Sequence, residues 1–231
     1  MPDRQKIRLV VFDMAGTTVH DEHTVNRCLR EALSARGLEV TLGQVNEVMG
    51  LNKPEAIRKL IASGPAETQG LADEIDAIHD DFEARMIAFY REDPSVRAIE
   101  GAEACFATLR EAGVKVALDT GFHRGIAQPI LDRLGWDASV VDATITSDEV
   151  DRGRPHPDMI RALMSGLEID DVDAVAKIGD TPSDLHEGTN TGCAMVIGVT
   201  EGTHTEDELR PHPHTHMIGS VKDLAPLLGL G

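Results

Sequence analysis

The 231 residues predict an α/β protein, a doubly wound parallel sheet with an α-helical insertion after its first strand. Three observations carry that expectation. A short β-branched run, residues 7–12, ends abruptly at Asp13. Residues 19–96 then follow helical periodicity throughout. From Gly101 onward, strand-like and helix-like segments alternate, the signature of right-handed βαβ crossovers.

Each element has a local reason. The run 7–12 reads as a buried parallel strand with Asp13 at its carboxyl end, and Met14-Ala15-Gly16-Thr17-Thr18 turns the chain out of the sheet. Thr24 is placed to cap a helix whose apolar positions are Val25, Cys28, Leu29, Ala32 and Leu33, ended by Gly37. Thr41 caps a second, short helix towards Met49-Gly50, and Pro54 opens a third through Ile57 and Leu60. Leu71, Ile75, Ile78, Phe82, Met86 and Phe89 recur at spacings of 3 or 4 and predict one face of a long amphipathic helix, packed inward and stopped near Pro94. Beyond Gly101 the expected order is a helix to Gly113, strand 114–118, a helix to Leu134, strand 143–146 and a helix from Pro157. Strand 174–178, helix 184–191, strand 194–197, a His-rich loop and a final strand at Met217-Ile218 complete it before a terminal helix.

Composition excludes several classes of function. A hydrophobic content of 41% supports a buried core, so global disorder is excluded. The formal net charge of −18 argues against nucleic-acid or anionic-membrane partners, since both need basic patches to displace counterions. Cys28, Cys105 and Cys193 are scattered and odd in number, which suits a reducing compartment rather than a disulfide framework. With no secretory apolar segment and no run long enough to span a bilayer, the expectation is a soluble cytoplasmic protein.

In an open α/β sheet, ligands bind beyond the carboxyl ends of the strands. Those ends carry Asp13, then Thr120-Gly121, then Asp148 with Arg154 downstream, then Gly179-Asp180-Thr181-Pro182-Ser183-Asp184. Carboxylates converging there repel one another unless a cation neutralises them, and hard oxygen donors call for Mg²⁺. With an arginine, a threonine and helix N-termini beside it, such a site accommodates a phosphoryl group, and an aspartate in it can act as nucleophile. His123 and Arg124 follow at a helix start facing the same crevice and are candidate substrate contacts. The loop histidines His204, His212, His214 and His216 sit among prolines and polar residues and are read as solvated, with adventitious transition-metal binding as the alternative.

The order Asp13-x-x-Gly-Thr-Thr, Thr120, Arg154 and Gly179-Asp180-x-x-x-Asp184 resembles the four motifs of the haloacid dehalogenase superfamily. The resemblance spans nearly the whole chain. It implies a Rossmann-like core, residues 1–18 and 97–231, with an α-helical cap domain, residues 19–96. It also implies Asp13 as nucleophile, with Mg²⁺ held by Asp13, Asp180 and the backbone carbonyl of Ala15. Asp184 then lies behind the metal or reaches it, Thr120 binds phosphoryl oxygens together with Gly16, Thr17 and Gly121, and Arg154 balances charge.

Within that superfamily, Asp13-Met14-Ala15-Gly16-Thr17-Thr18, Met49-Gly50-Leu51-Asn52-Lys53 and Gly153-Arg154-Pro155 are similar to the phosphonoacetaldehyde hydrolases, or phosphonatases. Ordinary phosphatases carry a general-acid aspartate where this chain has Ala15. A carbon–phosphorus bond needs no such acid, because an imine on a lysine can absorb the electrons as an enamine. The resemblance therefore implies Lys53 as the imine-forming amine, Met49 as a substrate contact and a homodimer formed through the cap. The phosphonatases have His, Cys and Tyr where this chain has Ala56, His23 and Phe122, and His23 is a candidate for part of the absent proton relay. Two alternatives stand beside this reading: a phosphomonoesterase acting on a small phosphorylated metabolite, and a non-catalytic phosphate-binding protein.

Overall fold

The computed structural model describes residues 7–20, 23–49, 51 and 53–230. Six parallel strands form one sheet: β1 Leu9–Asp13, β2 Lys115–Thr120, β3 Ala143–Thr146, β4 Val175–Gly179, β5 Met195–Val199 and β6 His216–Ile218. Their order is β3-β2-β1-β4-β5-β6, so the chain reverses its direction of winding between β1 and β4. Such a reversal opens a crevice at the carboxyl ends of those two strands, where Asp13 and Asp180 lie. All five β1 residues are buried, as a strand covered on both faces requires.

Among the described residues, four α-helices intervene between β1 and α5 Ala102–Glu111: α1 Thr24–Ser34, α2 Leu42–Asn46, α3 Lys53–Ser63 and α4 Ile75–Glu92. In the core follow α6 Arg124–Leu134, α7 Asp158–Gly166, α8 Pro182–Thr191, α9 Glu206–Leu209 and α10 Leu224–Leu227. The two faces of the sheet nucleate separate apolar clusters. Val10, Phe12, Leu118 and Ile178 pack with α5 and α6, and this cluster continues into the inserted helices through Leu29, Ile57, Phe82 and Met86. Leu9, Val11, Ala117 and Val175 pack with α7 and α8 on the other side. The docking of α4 against α6 and α1 thus holds the insertion over the crevice through continuous apolar packing.

Local details differ from the sequence expectation in three places. Thr24 does not cap α1; it is the first helical residue, and His23 is the cap, in a left-handed conformation with φ 62° and no side-chain capping bond. Leu71 is buried but belongs to a 3₁₀ segment, Ala66–Glu74, rather than to the long helix, because the Gly64-Pro65 step and Gly70 interrupt the helical run. The His-rich loop contains the short helix α9, with Thr205 and Glu208 forming its capping box. The three cysteines are buried and free. Burial pushes the Cys105 thiol up to about 11 and that of Cys193 up to about 12, so neither is a reactive thiolate. Among the described residues, no helix is long and apolar enough to cross a membrane.

Candidate active site

Strand register assembles the centre of the site. Asp13 pairs with Asp119 across β1 and β2, and Val11 pairs with Lys177 across β1 and β4. Paired residues of parallel strands share a face, and so do residues two apart in one strand. Asp13, Asp119 and Lys177 therefore project from the same face of the sheet. Helix α8 adds Asp184 and Glu187, three residues apart on its buried side, and the segment before α7 adds Arg154.

The resulting cluster is an ion-pair network sealed from water. Arg154 Nη1 lies 2.6 Å from Asp13 Oδ1 and 2.9 Å from Asp184 Oδ1, and its Nε donates to Glu187 Oε2 at 3.1 Å. Its Nη2 pairs with Asp119, as does Lys177 Nζ, which also sits 3.1 Å from Asp184 and 3.2 Å from Glu187. Asp180 stands beside this group. It accepts from Thr17 Oγ1 at 2.9 Å and from the Thr203 amide at 2.6 Å. Thr18 Oγ1 ties the turn back to the Asp13 carbonyl at 2.9 Å. At Gly16, φ is +96°, and a Cβ there would come within 2.3 Å of Asp180 Oδ2, so both conformation and space require glycine.

Charge does not balance within the protein. Among the described residues, five buried carboxylates, Asp13, Asp119, Asp180, Asp184 and Glu187, stand against three buried cations, Arg154 and Lys177 within the network and Lys53 at the adjoining pocket. Burial pushes Asp13 well above the usual carboxylate range, with Asp184 and Asp180 adding repulsion against the pull of Arg154. Burial and Asp184 raise Asp180, while burial and Asp119 raise Glu187. Asp119 ends below its ordinary value, since Arg154 and Lys177 outweigh its burial. Carboxylate oxygens of Asp13, Asp119 and Asp184 lie within 4.8 Å of one another, and Asp119 Oδ2 and Glu187 Oε1 are buried without hydrogen-bond partners. A divalent cation with a preference for hard oxygen donors fits this excess of negative charge.

Next to Asp13 is a small pocket of about 30 Å³ whose walls include Ala15, Met49, Lys53, Thr120, Gly121 and Arg154. Thr120 Oγ1 accepts from the Phe122 amide at 3.1 Å, which fixes the turn after β2. Lys53, the first residue of α3, is buried, with Nζ 5.7 Å from the Phe122 ring centroid and 5.8 Å from that of Phe82. Beyond it opens a cavity of about 600 Å³ shared by Lys53, Gly121, His123, Arg154 and, from α4, His79. Gly50 and Asn52 of the Met49–Lys53 motif lie outside the described residues.

Some expected positions are not in the site. Arg124 does not line either cavity around Lys53. Its guanidinium is held by Thr144 Oγ1 at 2.9 Å and by both oxygens of Glu149, and it borders a separate cavity with Arg91 and Arg133. His23 is exposed at the start of α1 and lines neither cavity. The loop histidines do not converge. His204 is buried, not solvated, with Nδ1 3.1 Å from the Asp180 carbonyl; His212 meets His186 at 3.1 Å; and His214 and His216 bond to their own loop. In the other direction, the strand-end reading passed over Asp119, Lys177, Glu187 and His79. A lysine inside the apolar run 174–178 was the available signal for Lys177, and Glu187 follows Asp184 at helical spacing.

A family profile described as haloacid dehalogenase-like hydrolase matches residues 7–190. The phosphonoacetaldehyde hydrolase of Bacillus cereus strain G9842 is 32% identical over 222 residues, covering 88% of this chain and 81% of that protein. That of Parabacteroides distasonis is 29% identical, with 90% and 83% covered. Among solved structures, a phosphonoacetaldehyde hydrolase like protein from Oleispira antarctica superposes with TM-score 0.85 at 22% identity, over 96% of this chain and 91% of that one. A predicted phosphoglycolate phosphatase from Haemophilus somnus gives TM-score 0.81 at 18% identity, over 98% and 99%. At such identities the structural likeness speaks for the fold alone.

Proposed function

The chain belongs to the haloacid dehalogenase-like hydrolases, and from that premise we propose that it hydrolyses the carbon–phosphorus bond of a small aldehyde phosphonate such as phosphonoacetaldehyde. One observation carries this reading. The buried amine of Lys53 and the carboxylate of Asp13 wall the same small pocket, with a methyl group, Ala15, where a leaving alkoxide would need an acid.

On this reading the Lys53 amine adds to the aldehyde carbon and loses water to form an iminium. Asp13 attacks phosphorus, the carbon–phosphorus bond breaks, and its electron pair passes into the enamine rather than onto a bare carbanion. Water then releases phosphate from Asp13, and the enamine takes a proton at carbon before hydrolysis frees Lys53. Arg154 anchors Asp13 Oδ1 at 2.6 Å and so presents the other oxygen to the substrate. Thr120 and Gly121 line the same pocket as Asp13, and on this reading they contact the phosphoryl oxygens. Mg²⁺ fits the carboxylate excess and would be held by Asp13, Asp180 and the Ala15 carbonyl, with Asp184 behind. When bound it supplies positive charge against the phosphoryl oxygens. The helical insertion, residues 19–96, acts as the cap that carries Lys53 to the core, and pairing of two chains through it belongs to the same reading.

A second reading, phosphomonoester hydrolysis, has its own support. Neither Ala56 nor Phe122 supplies the titratable group that the phosphonatases carry at those positions, and a cavity of about 600 Å³ exceeds what a two-carbon aldehyde needs. Borohydride added with phosphonoacetaldehyde separates the two. A covalent adduct on Lys53, found by mass spectrometry and accompanied by irreversible inactivation, is the expected result; phosphate release from phosphomonoesters with no adduct would establish the second reading.

A further inference from the structure

Imine chemistry at a lysine moves protons twice. Addition of the amine gives an ammonium-alkoxide in which a proton must pass from nitrogen to oxygen, and the hydroxyl so formed must take another to leave as water. Of the residues that share the small pocket with Lys53, Asp13 is taken up by attack on phosphorus and Ala15 and Phe122 carry no exchangeable proton, as Ala56 on the same helix carries none, while His23 is exposed and lines neither cavity. We infer that His79, on α4, is the acid–base residue for these steps, an inference that rests on the phosphonate reading above.

The geometry is specific. His79 and Lys53 line the same cavity and pack on the same ring: the His79 imidazole lies parallel to Phe82 within 16°, with centroids 6.4 Å apart, and Lys53 Nζ lies 5.8 Å from the Phe82 centroid. His79 Nε2 is 2.9 Å from Glu83 Oε1, one helical turn on. A carboxylate oxygen only accepts, so Nε2 carries the ring proton and Nδ1 is the atom that gains and loses one. The other cavity histidine next to Glu83 has its Nδ1 taken by a backbone amide. His123 Nδ1 accepts from the Gly125 amide at 2.9 Å, which leaves its proton on Nε2, in contact with Glu83. His156, the third histidine of the cavity, is exposed at its rim.

The electrostatics agree with this role. Burial lowers the proton affinity of His79, with the charges of His123 and Lys53 acting in the same direction and Glu83 and Asp80 opposing. A neutral imidazole at neutral pH is ready to take the proton from the ammonium-alkoxide. His79 passes that proton to the alkoxide oxygen, takes a second from solvent water entering the cavity, and gives it to the hydroxyl so formed. The carbon–oxygen bond breaks, the nitrogen lone pair forms the C=N bond, and one water leaves for each iminium formed.

The test is the rate of borohydride trapping at Lys53 with phosphonoacetaldehyde, in wild type, His79→Ala and His79→Gln. His79 is half-buried on a helix surface, and circular dichroism checks that both variants keep the fold. We expect adduct formation to slow by at least about a hundredfold in both variants, and added imidazole to restore much of it in His79→Ala. Trapping at the wild-type rate in either folded variant overturns the role of His79 while leaving the phosphonate reading intact. Slow trapping that imidazole does not restore also overturns it, since His79 would then only hold Lys53 in place. Absence of any wild-type adduct removes the phosphonate reading, and the role of His79 with it.

Discussion

Arg154 Nη1 holds Asp13 Oδ1 at 2.6 Å, and both side chains are almost wholly withdrawn from water. The same guanidinium reaches Asp119, Asp184 and Glu187, so one planar fork organises four carboxylates brought from three different parts of the chain. Removing it would leave four acids to Lys177 alone. Arg154→Met is expected to lower the stability of the metal-free protein by about 3–5 kcal/mol, measured by denaturant unfolding. Arg154→Lys, a point charge without the fork, is expected to recover only part of that loss.

Asp13→Asn keeps the shape of the nucleophile and removes its charge. Turnover is expected to fall at least about a thousandfold, because an amide oxygen cannot form the phosphoryl intermediate. The fold is expected to survive, since burial already opposes ionisation at this position. Steady-state phosphate release and thermal unfolding of the same preparation check both halves.

Acid–base linkage gives a pH dependence with a definite sign. The carboxyls of Asp13, Asp180 and Glu187 are raised by burial, so above the ordinary carboxylate range the folded metal-free chain holds more protons than the unfolded one. Stability from these groups is therefore greatest at low pH and falls as pH rises through their folded values; Asp119, shifted the other way, opposes part of the trend. A dication binds the ionised forms. The increase in Tm on adding Mg²⁺ is expected to be larger near about pH 8 than near about pH 5, and excess chelator is expected to abolish turnover. A Tm indifferent to Mg²⁺ at both pH values would count against the metal site.

Gly16→Ala tests the turn after β1. A Cβ at this position would enter the space of Asp180 Oδ2 and impose a side chain on a backbone with φ +96°. A loss of about 1–3 kcal/mol is expected from the backbone alone. The stabilising effect of Mg²⁺ should weaken as well, because Asp180 must move; a differential scanning measurement with and without the ion reads both.

Lys53→Arg separates the roles of a buried charge and a nucleophilic amine. Arginine keeps the charge but forms no imine under these conditions. Cleavage of phosphonoacetaldehyde is expected to disappear, while any phosphomonoesterase activity keeps most of its rate. Assaying both substrates on one enzyme sample makes the comparison internal.

The chain by itself determined the alternation of strands and helices, the helical insertion after the first strand, and the acids, hydroxyl and arginine carried at or just beyond the strand ends. These are legible because strand termini and turns leave local signatures, and because an α/β sheet presents its ligands at one edge. Lys177 and Asp119, 58 residues apart, meet only because strand register sets which face each one shares. Glu187 joins them only because α8 turns that face inward. Arg124 had the right neighbours in sequence, yet Glu149 and Thr144 hold it elsewhere. The histidine beside the lysine was settled the same way. His23 stands ten residues after the nucleophile and ends at the surface, whereas His79, far along the insertion, reaches the cavity because the apolar face of α4 docks on α6 and fixes its rotation. Packing between distant elements made that choice, and no local spacing records it.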